Sequence, residues 1–261
     1  MKLKFHPFHI LDVSPWPIIV SLNVFNLASV SVFSFWKNFG EEIVILLFGI
    51  LLSSVLWWRD MITESLYQGN HTFEVIRGLR MGFLMFILSE VMFFFSIFFA
   101  FFYVSLAPDV ALGMSYPPMG ISPIDVLSVP MLNTLILLSS GVSLTWSHHS
   151  LMKGSNLNVS VGLLVSIGLG LWFVFLQQKE YYESSFSFAD SVFGSLFFIS
   201  TGFHGLHVIV GTIFLMISAL RFSWSHFSPS HCVGFEASAW YWHFVDVVWL
   251  FLYMTVYWWG M

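Results

Sequence analysis

Long apolar runs, separated by short clusters of charge and proline, recur along the whole chain. Reading from one polar cluster to the next gives seven runs, at 15–36, 41–58, 72–106, 129–150, 156–178, 191–220 and 236–259. A helix rises about 1.5 Å per residue, so roughly 20 residues cross the hydrocarbon of a bilayer. The runs at 72–106 and 191–220 are longer than that, which predicts tilt or projection into water. Backbone in hydrocarbon must satisfy its own hydrogen bonds, so each run is expected to be a helix. A membrane β-barrel would show short alternating strands instead. The longest connection, 107–128, holds Pro108, Pro117, Pro118 and Pro123 and reads as an ordered surface loop. With no internal repeat and no low-complexity linker, the expected fold is all-α: one integral membrane bundle of seven transmembrane helices over 1–261.

Composition agrees with a lipid-facing exterior. Of 261 residues 57% are apolar and 9% charged, and the mean hydropathy is +0.83. Soluble domains carry about a quarter charged residues because their surfaces face water. The net charge of −5 is dispersed, and no basic block exists to track a phosphate backbone, which sets nucleic acid aside. The single cysteine, Cys232, predicts no intrachain disulfide and no cysteine-based metal site. The opening MKLKFHPFHILDVSPWP is too interrupted by His and Pro to read as a cleavable signal peptide.

Charge segregation orients the bundle. Seven spans put Lys2, Lys4, Arg59, Arg77, Arg80, Lys153 and Arg221 on the side of the N-terminus. Only Lys37 and Lys179 fall on the other side, among Glu41, Glu42, Asp109, Asp125, Glu180, Glu183 and Asp190. Cytoplasmic-type loops carry the excess of Lys and Arg, so the N-terminus is expected inside.

Ionisable groups at membrane depth are costly and mark function by default. Glu90, in FILSEVMFFF, lies about 15 Å along the helix from Arg80, near mid-bilayer. No cation lies at i±3 or i±4, so its partner must come from another helix, water or a lipid head group. It reads as a proton-relay or lipid-cavity site, or as a protonated carboxyl hydrogen-bonded within the bundle. His204 and His207 share a face of the sixth span, and His243 and Asp246 share a face of the seventh. His–x–x–His can offer two nitrogens to a metal or haem. The alternative is an interhelical hydrogen-bond network oriented by Asp246, which Gly202, Gly205 and Gly211 favour by permitting close helix approach. His148 and His149 read as interface residues, as do the pairs Trp57–Trp58 and Trp258–Trp259. Trp58, Arg59, Glu64, His71 and Arg221 mix cations and indoles on the positive side. They are candidates for phospholipid head groups or for ordinary anchoring. No glycine-rich phosphate loop, nucleophile elbow or HExxH is present.

Spaced motifs then carry a resemblance along the full length. They are SPWP at 14–17, WWRD at 57–60, SEV at 89–91, SLAP at 105–108, TWSHHSLM at 145–152, EYYE at 180–183 and TGFHGLHVIVG at 201–211. GFEASAWYWHFVDVVWLFLY at 234–253 and YWWG at 257–260 complete the set. In these the chain resembles the cytochrome c oxidase subunit III family. The first span is only loosely similar, and Asn70 in QGNHT stands where many relatives have a second His.

The resemblance implies an accessory core subunit of the oxidase that takes electrons from cytochrome c, reduces oxygen and pumps protons. It implies no haem or copper in this chain, with haem a and copper in partner subunits. It also implies subunits I and II and further small subunits as partners. A V-shaped cleft between helices 1–2 and helices 3–7 would be filled by phospholipid, with Glu90 as the family's buried carboxyl. The expected place is the mitochondrial inner membrane, multi-pass, with the N-terminus on the matrix side. A phenylalanine-rich, lysine-poor composition fits an organelle-encoded protein.

Two other classes compete on chemistry. A retinal photoreceptor needs a lysine in its last helix, and the lysines fall only at 2, 4, 37, 153 and 179. A stand-alone proton or ion transporter would use Glu90 and Asp246 as a relay; no motif supports it.

Overall fold

The computed structural model describes residues 6–11, 13–36, 40–110, 113–229 and 231–260. Seven helices follow one another: α1 (Trp16–Ser34), α2 (Gly40–Leu66), α3 (Phe73–Leu106), α4 (Val129–Met152), α5 (Asn156–Glu183), α6 (Ser191–Ser223) and α7 (Val233–Leu252). A π-helical segment, Tyr253–Trp259, continues α7. Among the described residues there is no strand beyond the isolated pairing of Ser228 with His231. Of the cations used to orient the bundle, Lys2, Lys4 and Lys37 lie outside the described residues.

Local chemistry sets the helix starts. Proline occupies the first turn of α1 and of α4, where its missing N–H costs nothing. Glu41 and Glu42 sit in the first turn of α2, at the positive end of its dipole. The run at 41–58 ends at the charges of WWRD, but the helix does not: α2 continues through Arg59 and Asp60 to Leu66. Charge ends the lipid-compatible stretch without breaking the backbone, which keeps its i→i−4 bonds in water.

Six helices, α1 to α6, are long and apolar enough to cross a membrane. Helix α7 falls short of that standard because Tyr, Trp, His, Glu236 and Asp246 dilute its apolar content. It is nonetheless densely buried, with Phe235, Trp242, Val245 and Leu252 fully enclosed and Trp249 nearly so.

The chain divides into two compact units, residues 1–79 and 80–261. In the first, α1 and α2 form an antiparallel hairpin. Its open end is tied by the Trp16 indole N–H donating to Asp60 Oδ2 at 2.6 Å. Near the hairpin, Thr72 Oγ1 donates to the Pro7 carbonyl, and His9 Nε2 lies 3.3 Å from Glu64 Oε2.

In the second unit, α5 runs beside α4 and α6, while α7 packs on both α4 and α6. Two indoles of α7 organise this core. Trp242 donates to Ser140 Oγ on α4 at 2.8 Å. A Cβ added at Gly170 of α5 or Gly211 of α6 would come within 2.5 or 3.0 Å of its ring. Trp249 donates to Thr134 Oγ1 at 3.0 Å and meets Phe173 and His204 with ring centroids at 4.9 and 5.1 Å. Of the glycines expected to let α6 pack closely, Gly211 does so, whereas a Cβ at Gly202 or Gly205 would meet nothing within 4 Å. From residue 80 onward, α3 joins α6 and α7 through long rings, among them Phe83–Phe214, Phe93–Phe203 and Phe94–Phe244.

Candidate functional site

The polar groups of the second unit fall into separate arrangements, and the first centres on Glu90. Its Oε2 lies 3.0 Å from His207 Nε2 of α6, so the partner missing from its own helix comes from another. His207 Nδ1 lies 2.6 Å from the carbonyl oxygen of Phe203. A carbonyl can only accept, so Nδ1 carries a proton and donates it. The bond between Nε2 and Oε2 then holds one proton, either as carboxylic acid to imidazole or as imidazolium to carboxylate. The pair is net neutral in both forms, which is how a carboxyl can sit among Phe93, Phe94 and Tyr241. The Glu90 side chain keeps 25% of its surface exposed, against 10% for His207.

The network expected between the sixth and seventh helices is not formed as one unit. His204 is enclosed by Phe173 and Trp249, and neither ring nitrogen has a hydrogen-bond partner. His207 instead turns to α3. His243 Nδ1 lies 3.8 Å from Asp246 Oδ2, and both approach Gly141 of α4, where an added Cβ would stand 2.8 Å from Oδ2. Among the described residues no hydrogen bond links the α6 histidines to His243 or Asp246. Tyr241 and Phe244 are the α7 side chains that meet His207, whereas His243 and Asp246 meet α4 at Gly141.

A further cluster went unread in the sequence. Glu180 Oε1 accepts from the Tyr257 hydroxyl at 2.6 Å and from Gln177 Nε2 at 3.2 Å. Asn133 Nδ2 donates to Gln177 Oε1 at 3.3 Å. Glu180 is 3% exposed, although EYYE reads as a water-facing charged segment. It borders an open cavity of about 220 Å³ with Ser122, Asp125 and Ser184. The one available signal was spacing: Gln177 and Glu180 share a helix face, as i and i+3.

The head-group candidates divide between the units. In the first, Trp58 is half exposed, and Arg59 pairs with Asp60 at 3.3 Å. His9 stands between Glu64 and His71, with the two histidine rings 5.9 Å apart. In the second, the Arg221 guanidinium lies 4.6 Å above the Phe227 ring. At the same end Arg80 grips Glu236 with two hydrogen bonds of 2.8 and 2.9 Å.

Comparison with known proteins places this architecture. A family model described as cytochrome c oxidase subunit III matches residues 6–261. The chain is 54% identical over 260 residues to cytochrome c oxidase subunit 3 of Tachyglossus aculeatus aculeatus, covering 100% of both chains. It is 52% identical over 263 residues to that of Equus asinus, again covering 100% of both. With the protein of that name from Patiria pectinifera it shares 52% over 255 residues, 98% of each. On these matches the chain belongs to the cytochrome c oxidase subunit III family.

Proposed function

We propose that the chain acts as a non-catalytic membrane subunit of cytochrome c oxidase, seated beside subunits I and II, which hold haem a and copper. Its own residues bind lipid, present apolar faces to neighbours and keep a neutral proton-holding pair, Glu90 with His207, within the membrane. The reading rests chiefly on the family match over residues 6–261. The wide apolar exposure of α1, α2 and α3 supports it, since such faces are stable only against lipid or other subunits. Phospholipid between helices 1–2 and helices 3–7, with head groups near Trp58, Arg59, Glu64, His71 and Arg221, belongs to the same proposal. So does residence in the mitochondrial inner membrane with the N-terminus in the matrix; Arg59, Arg77, Arg80, Lys153 and Arg221 support that orientation.

The test is purification through this chain in mild detergent, with a reduced-minus-oxidised spectrum and mass spectrometry of what accompanies it. Haem a bands together with two larger oxidase subunits are expected. A colourless single chain that carries protons or ions across liposomes would overturn the proposal. Glu90→Gln keeps a donor toward His207 Nε2 and is expected to leave assembly intact; complete failure to assemble would make Glu90 a structural residue instead.

A further inference from the structure

Where α4 ends and α7 begins, three side chains of ligating type converge. His148 comes from the last turns of α4, Cys232 is the residue before α7, and Glu236 lies in the first turn of α7. One ligand atom from each, an imidazole nitrogen, Sγ and a carboxylate oxygen, lies within 4.8 Å of the other two. Cys232 Sγ is 3.6 Å from Glu236 Oε1. His148 Nε2 is buried without a hydrogen-bond partner, and its ring is held by Phe235, with centroids at 5.6 Å. The three side chains thus bring an imidazole nitrogen, a thiol and a carboxylate together from two helices, and the imidazole keeps one buried nitrogen without a partner.

We propose that His148, Cys232 and Glu236 form a binding site for a zinc-class divalent cation, with a fourth position open to water. The set is of the right kind: Zn²⁺ takes thiolate, imidazole and carboxylate together in tetrahedral geometry. Bonds of about 2.0–2.3 Å at tetrahedral angles separate ligand atoms by about 3.5 Å, so the observed cluster needs only a small contraction. Binding forms an S–metal bond and releases the Cys232 proton to water. The metal's two charges then meet two anionic ligands and one neutral imidazole. Burial first, and the neighbouring Glu236 second, raise the Cys232 thiol to about 11, so the metal-free site holds it as a thiol. Arg80, bound to both oxygens of Glu236, fixes the direction of that carboxylate, as an outer partner does for a metal ligand, and leaves each oxygen a further lone pair. The single cysteine predicts no cysteine-based metal site from sequence, but a site of mixed ligands needs only one thiolate. The fold supplies the other two ligands from α4 and from the first turn of α7. A bound ion pins the end of α4 to the start of α7, which their loops alone do not do.

Cys232 is the chain's one cysteine and is buried, so its slow labelling by N-ethylmaleimide on local opening, followed over hours by mass spectrometry of this chain, reports the site. The assay uses the protein as it leaves the membrane in mild detergent, with whatever subunits accompany it, after chelator treatment. Cadmium chloride is expected to slow labelling about tenfold, with zinc chloride acting likewise and magnesium chloride without effect. His148→Ala is expected to abolish most of that protection while leaving metal-free labelling within about twofold. A cadmium anomalous difference map on the same preparation is expected to place a peak bonded to all three side chains. Protection that persists undiminished in His148→Ala, or a peak on the sulfur alone, would reduce the site to simple thiol capture and overturn the proposal. So would the lack of both protection and peak.

Discussion

Helices α1 and α2 hold one buried side chain between them, Ser53, whereas α6 and α7 hold twelve each. The first pair is rich in Leu, Ile, Val and Phe; none of those residues is buried and most are exposed. The last helix, the one too polar to qualify as a span, is the most enclosed. In water this order would be inverted, because burial there follows apolar area. In lipid, apolar surface gains nothing by turning inward, so the helix interface is marked by small and polar residues. Ser140, Gly141, Ser147, Ser166, Gly170 and Gly211 line the α4–α7 core for that reason. Most of the α1–α2 surface is left exposed, which is where the proposed lipid and subunit contacts would fall.

This contrast can be broken most forcefully at Gly170. A leucine there must displace Thr212 and the Trp242 ring, and is expected to lower stability by about 3 kcal/mol. Gly168→Leu on the same helix, where a Cβ meets nothing within 4 Å, is the control and is expected to be silent in thermal unfolding. Asp246→Leu is expected next, at about 2 kcal/mol, because two methyl groups are bulkier than the carboxylate oxygens that fit against Gly141. Equal detergent stability of that variant and the parent would remove Asp246 from the packing account. His207→Leu strips the Glu90 carboxyl of its partner and is expected to cost about 1–3 kcal/mol, more than Glu90→Gln does. If the two variants melt together, the shared proton is not what holds α3 to α6. The smallest effect belongs to the outward face of the first pair. Leu47→Ala and Phe48→Ala are expected to stay within about 0.5 kcal/mol, read on the chain alone.

The spans were legible because charge and proline interrupt the apolar runs where helices meet water. Glu90 stood out because a carboxyl at mid-span must find its partner outside its own helix; that the partner is His207 did not, because the α6 histidines read as part of a network with α7. What stayed hidden depends on which helices touch. Asp246 reaches α4 rather than α6 because Gly141 leaves room for it. Glu180 looked like one more interfacial charge until Tyr257 and Gln177, the first 77 residues away along the chain, closed over it. Cys232 read as solitary because its companions come from another helix and from the next turn of its own.

The polarity of α7 also bears on how the protein is made. A segment carrying Glu236, Asp246 and His243 enters hydrocarbon at a cost of several kcal/mol when it enters alone. Trp242 and Trp249 find their acceptors, Ser140 and Thr134, only on α4. The last helix is therefore a client of the earlier ones: α4, α5 and α6 form the solvent into which it partitions. Insertion is therefore expected to follow an order, with the C-terminal segment entering after α4, α5 and α6 are in place. A chain stalled before residue 233 would expose the vacated groove of α4 and α6 to the quality-control proteases of the membrane.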